Sequence, residues 1–200
     1  FCTLLTLPRT SSSPLADRTD SQLSQFAKGW AYAKTQPTIM TGYLAATFVA
    51  ILGGPLVQVH LILFIENVFV ASEFRFGLLM SMYGIGAIVI APWLAAFGSR
   101  IQRSHLLVGS LVGYGCGEIL LASTSFYWAG IAGIFIVGCA HLVMATTTNT
   151  TLQLRVPEPV RGRVMAMYLM VFTIGAPLGS IIQGPLADKF GPQAVVLVMG

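Results

Sequence analysis

Charge is scarce in this chain. Asp, Glu, Lys and Arg make up only 9% of its 200 residues, where a soluble domain carries about 25%. Stretches 39–65, 76–99, 119–154 and 164–187 contain none of the four. Runs of that length exclude an ordinary solvated domain, because a bilayer core is crossed by roughly 20 apolar residues. Cysteine is also sparse: Cys116 and Cys139 lie inside apolar runs and Cys2 near the start, which excludes a disulfide framework. No His-Glu-x-x-His run, paired intramembrane aspartates, Ser/His arrangement or phosphate-cradling glycine loop stands in the sequence. These absences argue against an intramembrane enzyme, a metal site and direct use of ATP, and no cofactor is expected.

What is abundant is apolar: 55% hydrophobic residues, with a mean hydropathy of +0.78. Spans are predicted at 39–65, 76–98, 104–122, 126–148 and 164–187, with the apolar stretch 194–200 too short to cross. At the other end, 1–7 reads as the tail of a preceding membrane helix. The chain is thus expected to be an all-α membrane protein, truncated at both ends. All of the 11 Lys and Arg except Arg75 and Lys189 fall before the first span, after the second or after the fourth. By the positive-inside rule those three segments are cytoplasmic, and 66–75, 123–125 and 188–192 face outward. The net charge of +4 is therefore topological and implies no nucleic-acid partner; the bilayer is the partner it fits.

Residues 8–37 read as a central cytoplasmic loop. Its first part, 8–20, is rich in Ser, Thr, Pro and charge and has no core of its own. After it, Leu23, Phe26, Ala27 and Trp30 recur at helical spacing. Such a helix either lies on the inner leaflet, with Trp30 and Tyr32 at headgroup depth, or packs on the cytoplasmic face of the bundle.

Residues 149–192 carry an Asn-x-x-x-Gln then Val-Pro element, an Arg-Gly-Arg-Val-Met helix entry and a Gly-x-Leu-Ala-Asp-x-x-Gly-Pro exit. This stretch resembles the C-terminal half of major facilitator superfamily exporters, in particular the branch holding the enterobactin exporter and related macrolide or drug efflux proteins. FAKGWAYAKTQPTI, 26–39, resembles the element that closes the central cytoplasmic loop in that branch. The resemblance implies that 38–200 is the C-terminal six-helix bundle, with five full spans and the start of a sixth, and that the N-terminal half of the same chain is its partner. Gly86-Ala87 and Ser99-Arg100 echo Gly175-Ala176 and Asp188-Lys189 in position, as an inverted repeat within such a half would.

Glu118 is the one acid inside a predicted span, a functional candidate by default. It lies about 6 Å of helical rise from the outer end of its span, so snorkelling or pairing with a polar neighbour is the plainer reading. His60, its neighbour Gln58, and His141 fall on helices that the resemblance makes cavity-lining, the seventh and tenth. An imidazole can exchange a proton at physiological pH, against the plainer reading of a histidine bonded between helices. Gly53, Gly54 and Pro55 interrupt the first span and mark a hinge or a tolerated kink; Gly175 and Pro177 give the fifth span the same character. The ladders Gly109, Gly113, Gly117 and Gly130, Ile134, Gly138 read as close packing. Thr146 to Thr151 with Asn149 form a polar inner end that caps the fourth helix or lines a vestibule, capping being the plainer reading.

The loop 97–105 sits where the family has its weaker gating motif, with Arg100 and Arg103 but without the acid of the stronger form. Arg161 and Arg163, in the next cytoplasmic loop, and Asp188 complete the candidate gate, and at least one of these arginines is expected to bind carbonyls or acids there. The resemblance implies a multi-pass transporter of the cell membrane. Its expected activity is proton-coupled efflux of small amphiphilic compounds or siderophores by alternating access. A facilitator-fold protein that senses or scaffolds without transporting is the alternative.

Overall fold

A computed structural model describes residues 30–200; the expectations for 1–7 and for most of the central loop lie outside the described residues. Among the described residues five helices are long and apolar enough to cross a membrane: α1 (Pro37–Val68), α2 (Glu73–Arg100, ending in a 3-10 turn from Gly98), α3 (Arg103–Ala122), α4 (Tyr127–Arg155) and α5 (Glu158–Phe190). A shorter helix, α6 (Pro192–Met199), follows. The described residues are all-helical in their regular structure, in keeping with the length of the charge-free runs. Residues 30–35 are also helical, and their tip packs on the bundle. Trp30 stacks on Tyr43 at 6.5 Å, Lys34 lies over the Trp30 ring, and Ala33 is fully buried.

Helices run past the charge-free stretches, and the connections are correspondingly shorter than expected. α5 opens at Glu158, so Arg161 and Arg163 stand on its first turns and not in a loop. Its last turn contains Asp188 and Lys189, both expected in the outer loop. The reason is that a hydrogen-bonded backbone remains the best arrangement beyond the hydrocarbon edge; polar side chains there reach water without breaking the helix. Gly191, with φ +86°, supplies the left-handed turn that stops α5, a conformation open to glycine at little cost. α4 likewise continues through Thr146–Thr151 to Arg155. The threonines therefore do not cap it: Thr151 Oγ1 donates back to the carbonyl of Thr147 at 2.6 Å.

Packing follows from small residues, since lipid supplies no hydrophobic force between helices. α4 is the centre. A Cβ at Gly86 of α2 would strike the backbone of Phe135, and one at Gly138 would strike that of Tyr83. Gly117 of α3 and Gly133 of α4 face each other's carbonyls, each 2.8 Å from where a Cβ would stand. Around these crossings Leu79, Leu121, Ile134 and Val137 are fully buried. The expected Gly109–Gly113–Gly117 ladder is used at one end: Gly117 is tight, Gly113 would touch Ala140 at 3.5 Å, and Gly109 faces open space.

Candidate functional site

α1 is where the backbone departs from regular geometry. Wider, π-type turns occupy Val49–Gly53, Leu56–His60 and Phe64–Val68, and the first two flank Gly54 and Pro55. Pro55 has no N–H to offer the carbonyl four residues earlier, that of Ile51. That carbonyl is met from another helix: Gln183 of α5 donates through Nε2 to Ile51 O at 2.8 Å and to Leu52 O at 3.1 Å. The Oε1 of the same amide lies 2.8 Å from His60 Nε2, so His60 carries its proton on Nε2 and donates it. His60 and Gln183 are 1% and 2% exposed, and the remaining ring nitrogen, Nδ1, is buried without a partner. α5 comes this close because Gly175 meets Ala50 and Gly179 meets Ile51 and Pro55. Gln183 escaped the sequence reading, although it is the one Asn or Gln in the charge-free run 164–187.

A second cluster surrounds His141 of α4. Its ring lies 5.8 Å from that of Tyr83, 6.2 Å from Tyr114 and 6.2 Å from Phe172, and its Nδ1 is buried without a partner. Tyr168 packs edge-on to Phe172 at 5.1 Å. Beside them opens a groove of about 460 Å³ between α4 and α5, lined by His141, Asn149, Gln153, Tyr168 and Phe172 among others. Gln153 donates to Asn149 Oδ1 one turn away. Aromatic walls with a few convergent polar groups are the composition of small-molecule pockets. Tyr114 joins the two clusters: its ring faces His141, and its hydroxyl donates to the carbonyl of Gly53 at 3.1 Å.

The other candidates are scattered. Gln58 is exposed on α1, away from the His60 bond. Glu118 is only 3% exposed, so the expected snorkelling is not what the structure has; its Cβ is packed beneath the backbone of Gly200. Arg100 is exposed over the Phe97 ring at 5.6 Å, and Arg103 is exposed at the start of α3. Arg161 Nε donates to the carbonyl of Val156 at 3.2 Å, across the short connection between α4 and α5. Arg163 is partly buried, and Asp188 is exposed at the opposite end of α5. Among the described residues no group of His, Cys, Asp or Glu is placed to hold a metal ion.

Comparison with known proteins sets this geometry in a family. The chain is 28% identical over 160 residues to the uncharacterized MFS-type transporter YwfA of Bacillus subtilis (strain 168), covering 78% of this chain and 38% of that protein. It is 32% identical over 93 residues to the class B tetracycline resistance protein of Escherichia coli, covering 42% and 23%. Multidrug resistance protein MdtG of Enterobacter lignolyticus (strain SCF1) is 28% identical over 125 residues, covering 61% and 29%. The chain thus spans less than two-fifths of the length of these relatives. No solved structure matches it. The family model for the Major Facilitator Superfamily matches residues 43–200, from within α1 to the end of α6, and the chain therefore belongs to that superfamily of membrane transporters, as part of its fold.

Proposed function

We propose that the protein is a proton-coupled exporter of drug-like amphiphiles and that 38–200 is its C-terminal bundle, working against an N-terminal half of the same chain. Its relatives include proteins named for tetracycline and multidrug resistance, and this favours drug export over the siderophore transport expected of the enterobactin-exporter branch. The observation that carries the reading is the groove beside His141. It combines aromatic faces for an apolar ring system with Asn149, Gln153 and an unpartnered imidazole nitrogen for the polar groups of the same molecule. The basic end of the bundle, with Arg100, Arg103, Arg155, Arg161 and Arg163, faces the cytoplasm of a cell membrane by the positive-inside rule.

Alternating access then has a physical basis at the seam between α1 and α5. Wide turns in α1 bond at five-residue in place of four-residue spacing, and the Gln183 amide can exchange Ile51 and Leu52 as acceptors while the halves rock. Proton entry from outside would meet His60 first and His141 deeper, and a change of charge at His141 would favour release of substrate. Arg161 would hold and release the Val156 carbonyl at the inner gate.

The test is drug efflux by the full-length protein in energised vesicles, with His60 and His141 replaced singly and together by Gln. His141→Gln is expected to lower efflux at least about tenfold and flatten its dependence on pH. Undiminished, still pH-dependent efflux in the double variant removes both histidines from coupling. Absence of substrate counterflow in the unaltered protein favours a sensor or scaffold.

A further inference from the structure

Two helix starts, an arginine and an orphaned hydroxyl converge at the basic end of the bundle. α1 begins at Pro37 and α3 at Arg103; neither start has a capping side-chain hydrogen bond or an acid in its first turn. Gln36 and Gln102 supply carbonyls to the first intrahelical bonds. By helix geometry the amides of Thr38, Arg103 and Ser104 have no acceptor within their own helices. All three residues line one groove of about 270 Å³, whose remaining wall is α4 through Thr147, Thr148 and Thr151. Arg103 and Thr147 also line a second groove, of about 260 Å³, beneath the Gly98–Ile101 turn. Among the described residues no acid lines either groove.

Thr147 supplies the independent sign of a ligand. It is only 7% exposed, and its Oγ1 is buried with no hydrogen-bond partner among the described residues. The neighbouring hydroxyls are engaged otherwise, Thr151 on the Thr147 carbonyl and Thr41 on that of Pro37. A buried hydroxyl left unmet costs about 1–3 kcal/mol, and this one lines a groove rich in donors. Two helix N-termini add positive partial charge, and Arg103 adds a full one with a planar array of donors. Donors with no matching acid among the described residues suit an oxyanion.

We propose that this groove binds a phosphate group, with Arg103 as its counter-charge and Thr147, Ser104 and the free amides as its hydrogen-bond donors. The groove lies where the apolar runs end, at the depth of lipid headgroups, so an anionic phospholipid presents that group most directly; soluble phosphate shares the chemistry. The inference does not rest on what the protein transports.

Native mass spectrometry of the purified full-length protein, titrated separately with phosphatidylglycerol, phosphatidylcholine and inorganic phosphate, tests it. Saturable binding of phosphatidylglycerol is expected, weakened about tenfold by Arg103→Gln and about fivefold by Thr147→Val. Thr147→Ser, which keeps the hydroxyl, should retain binding, and Lys189→Gln at the opposite end should leave it unchanged. Inorganic phosphate binding alone, with the same dependence on Arg103 and Thr147, supports the phosphate site and assigns it to a soluble anion. Equal phosphatidylglycerol affinity in the unaltered protein, Arg103→Gln and Thr147→Val overturns the proposal, as does equal binding of phosphatidylcholine throughout.

Discussion

The seam between α1 and α5 and the seam between α2 and α4 are both built on glycine, yet they differ in what they leave free. At α2–α4, Gly86 and Gly138 bring backbone onto backbone, with Cys139 Sγ donating to the Gly86 carbonyl at 3.1 Å as a polar contact. Both partners there are α-helices without wide turns, and the one proline within them, Pro92 of α2, lies beyond the Gly86 crossing. At α1–α5, one partner is wound in wide turns around Gly54-Pro55, and its loosened carbonyls are held by the side chain of Gln183. A backbone–backbone crossing has no alternative register without a clash. A side-chain amide bridging two carbonyls has several. On this reading the first seam is a scaffold and the second changes length and twist at modest cost, as the rocking proposed above would ask of it.

Substitutions at matched positions sharpen that contrast, each read as a change in apparent unfolding free energy in detergent. Gly138→Ala is expected to cost most, about 3 kcal/mol, because its Cβ would press on the Tyr83 carbonyl and neither helix can yield. Gln183→Leu should cost about 2 kcal/mol, since it strips a donor from Ile51 and Leu52 and leaves His60 unpaired. Gly179→Ala presents a similar clash, with the Ile51 carbonyl, but against wide turns that can adjust, so about 1 kcal/mol is expected. Gly84→Ala, facing open space on α2, should stay within about 0.5 kcal/mol. Were Gly179→Ala to cost as much as Gly138→Ala, the two seams would be equally rigid and the contrast would fail.

The spans themselves were legible because the absence of charge over 39–65, 76–99, 119–154 and 164–187 has a single physical reading in a chain this apolar. Their ends were not: helix geometry continues past the hydrocarbon edge, which placed Arg161, Arg163 and Asp188 on helices. His60 and His141 stand out as polar side chains in apolar runs; His60 is buried and His141 half-buried, each with a buried Nδ1 that has no partner. Gln183 gave the same signal but no titratable group, and was passed over. Which partner meets which is a property of helix crossings many residues apart, and no local pattern around Pro55 announces that its orphaned carbonyl is answered from α5. The same holds for Arg103 and Thr147, which only the folded bundle sets beside the start of α1.

Hydrogen–deuterium exchange of the full-length protein in lipid nanodiscs tests the contrast most directly, by comparing backbone amides of 49–60 in α1 with those of 133–141 in α4. The account predicts that 49–60 exchanges clearly faster, although both segments lie inside helices long and apolar enough to cross a membrane, and that Gln183→Leu widens the gap. Equal protection of the two segments, or slower exchange in α1, would contradict it.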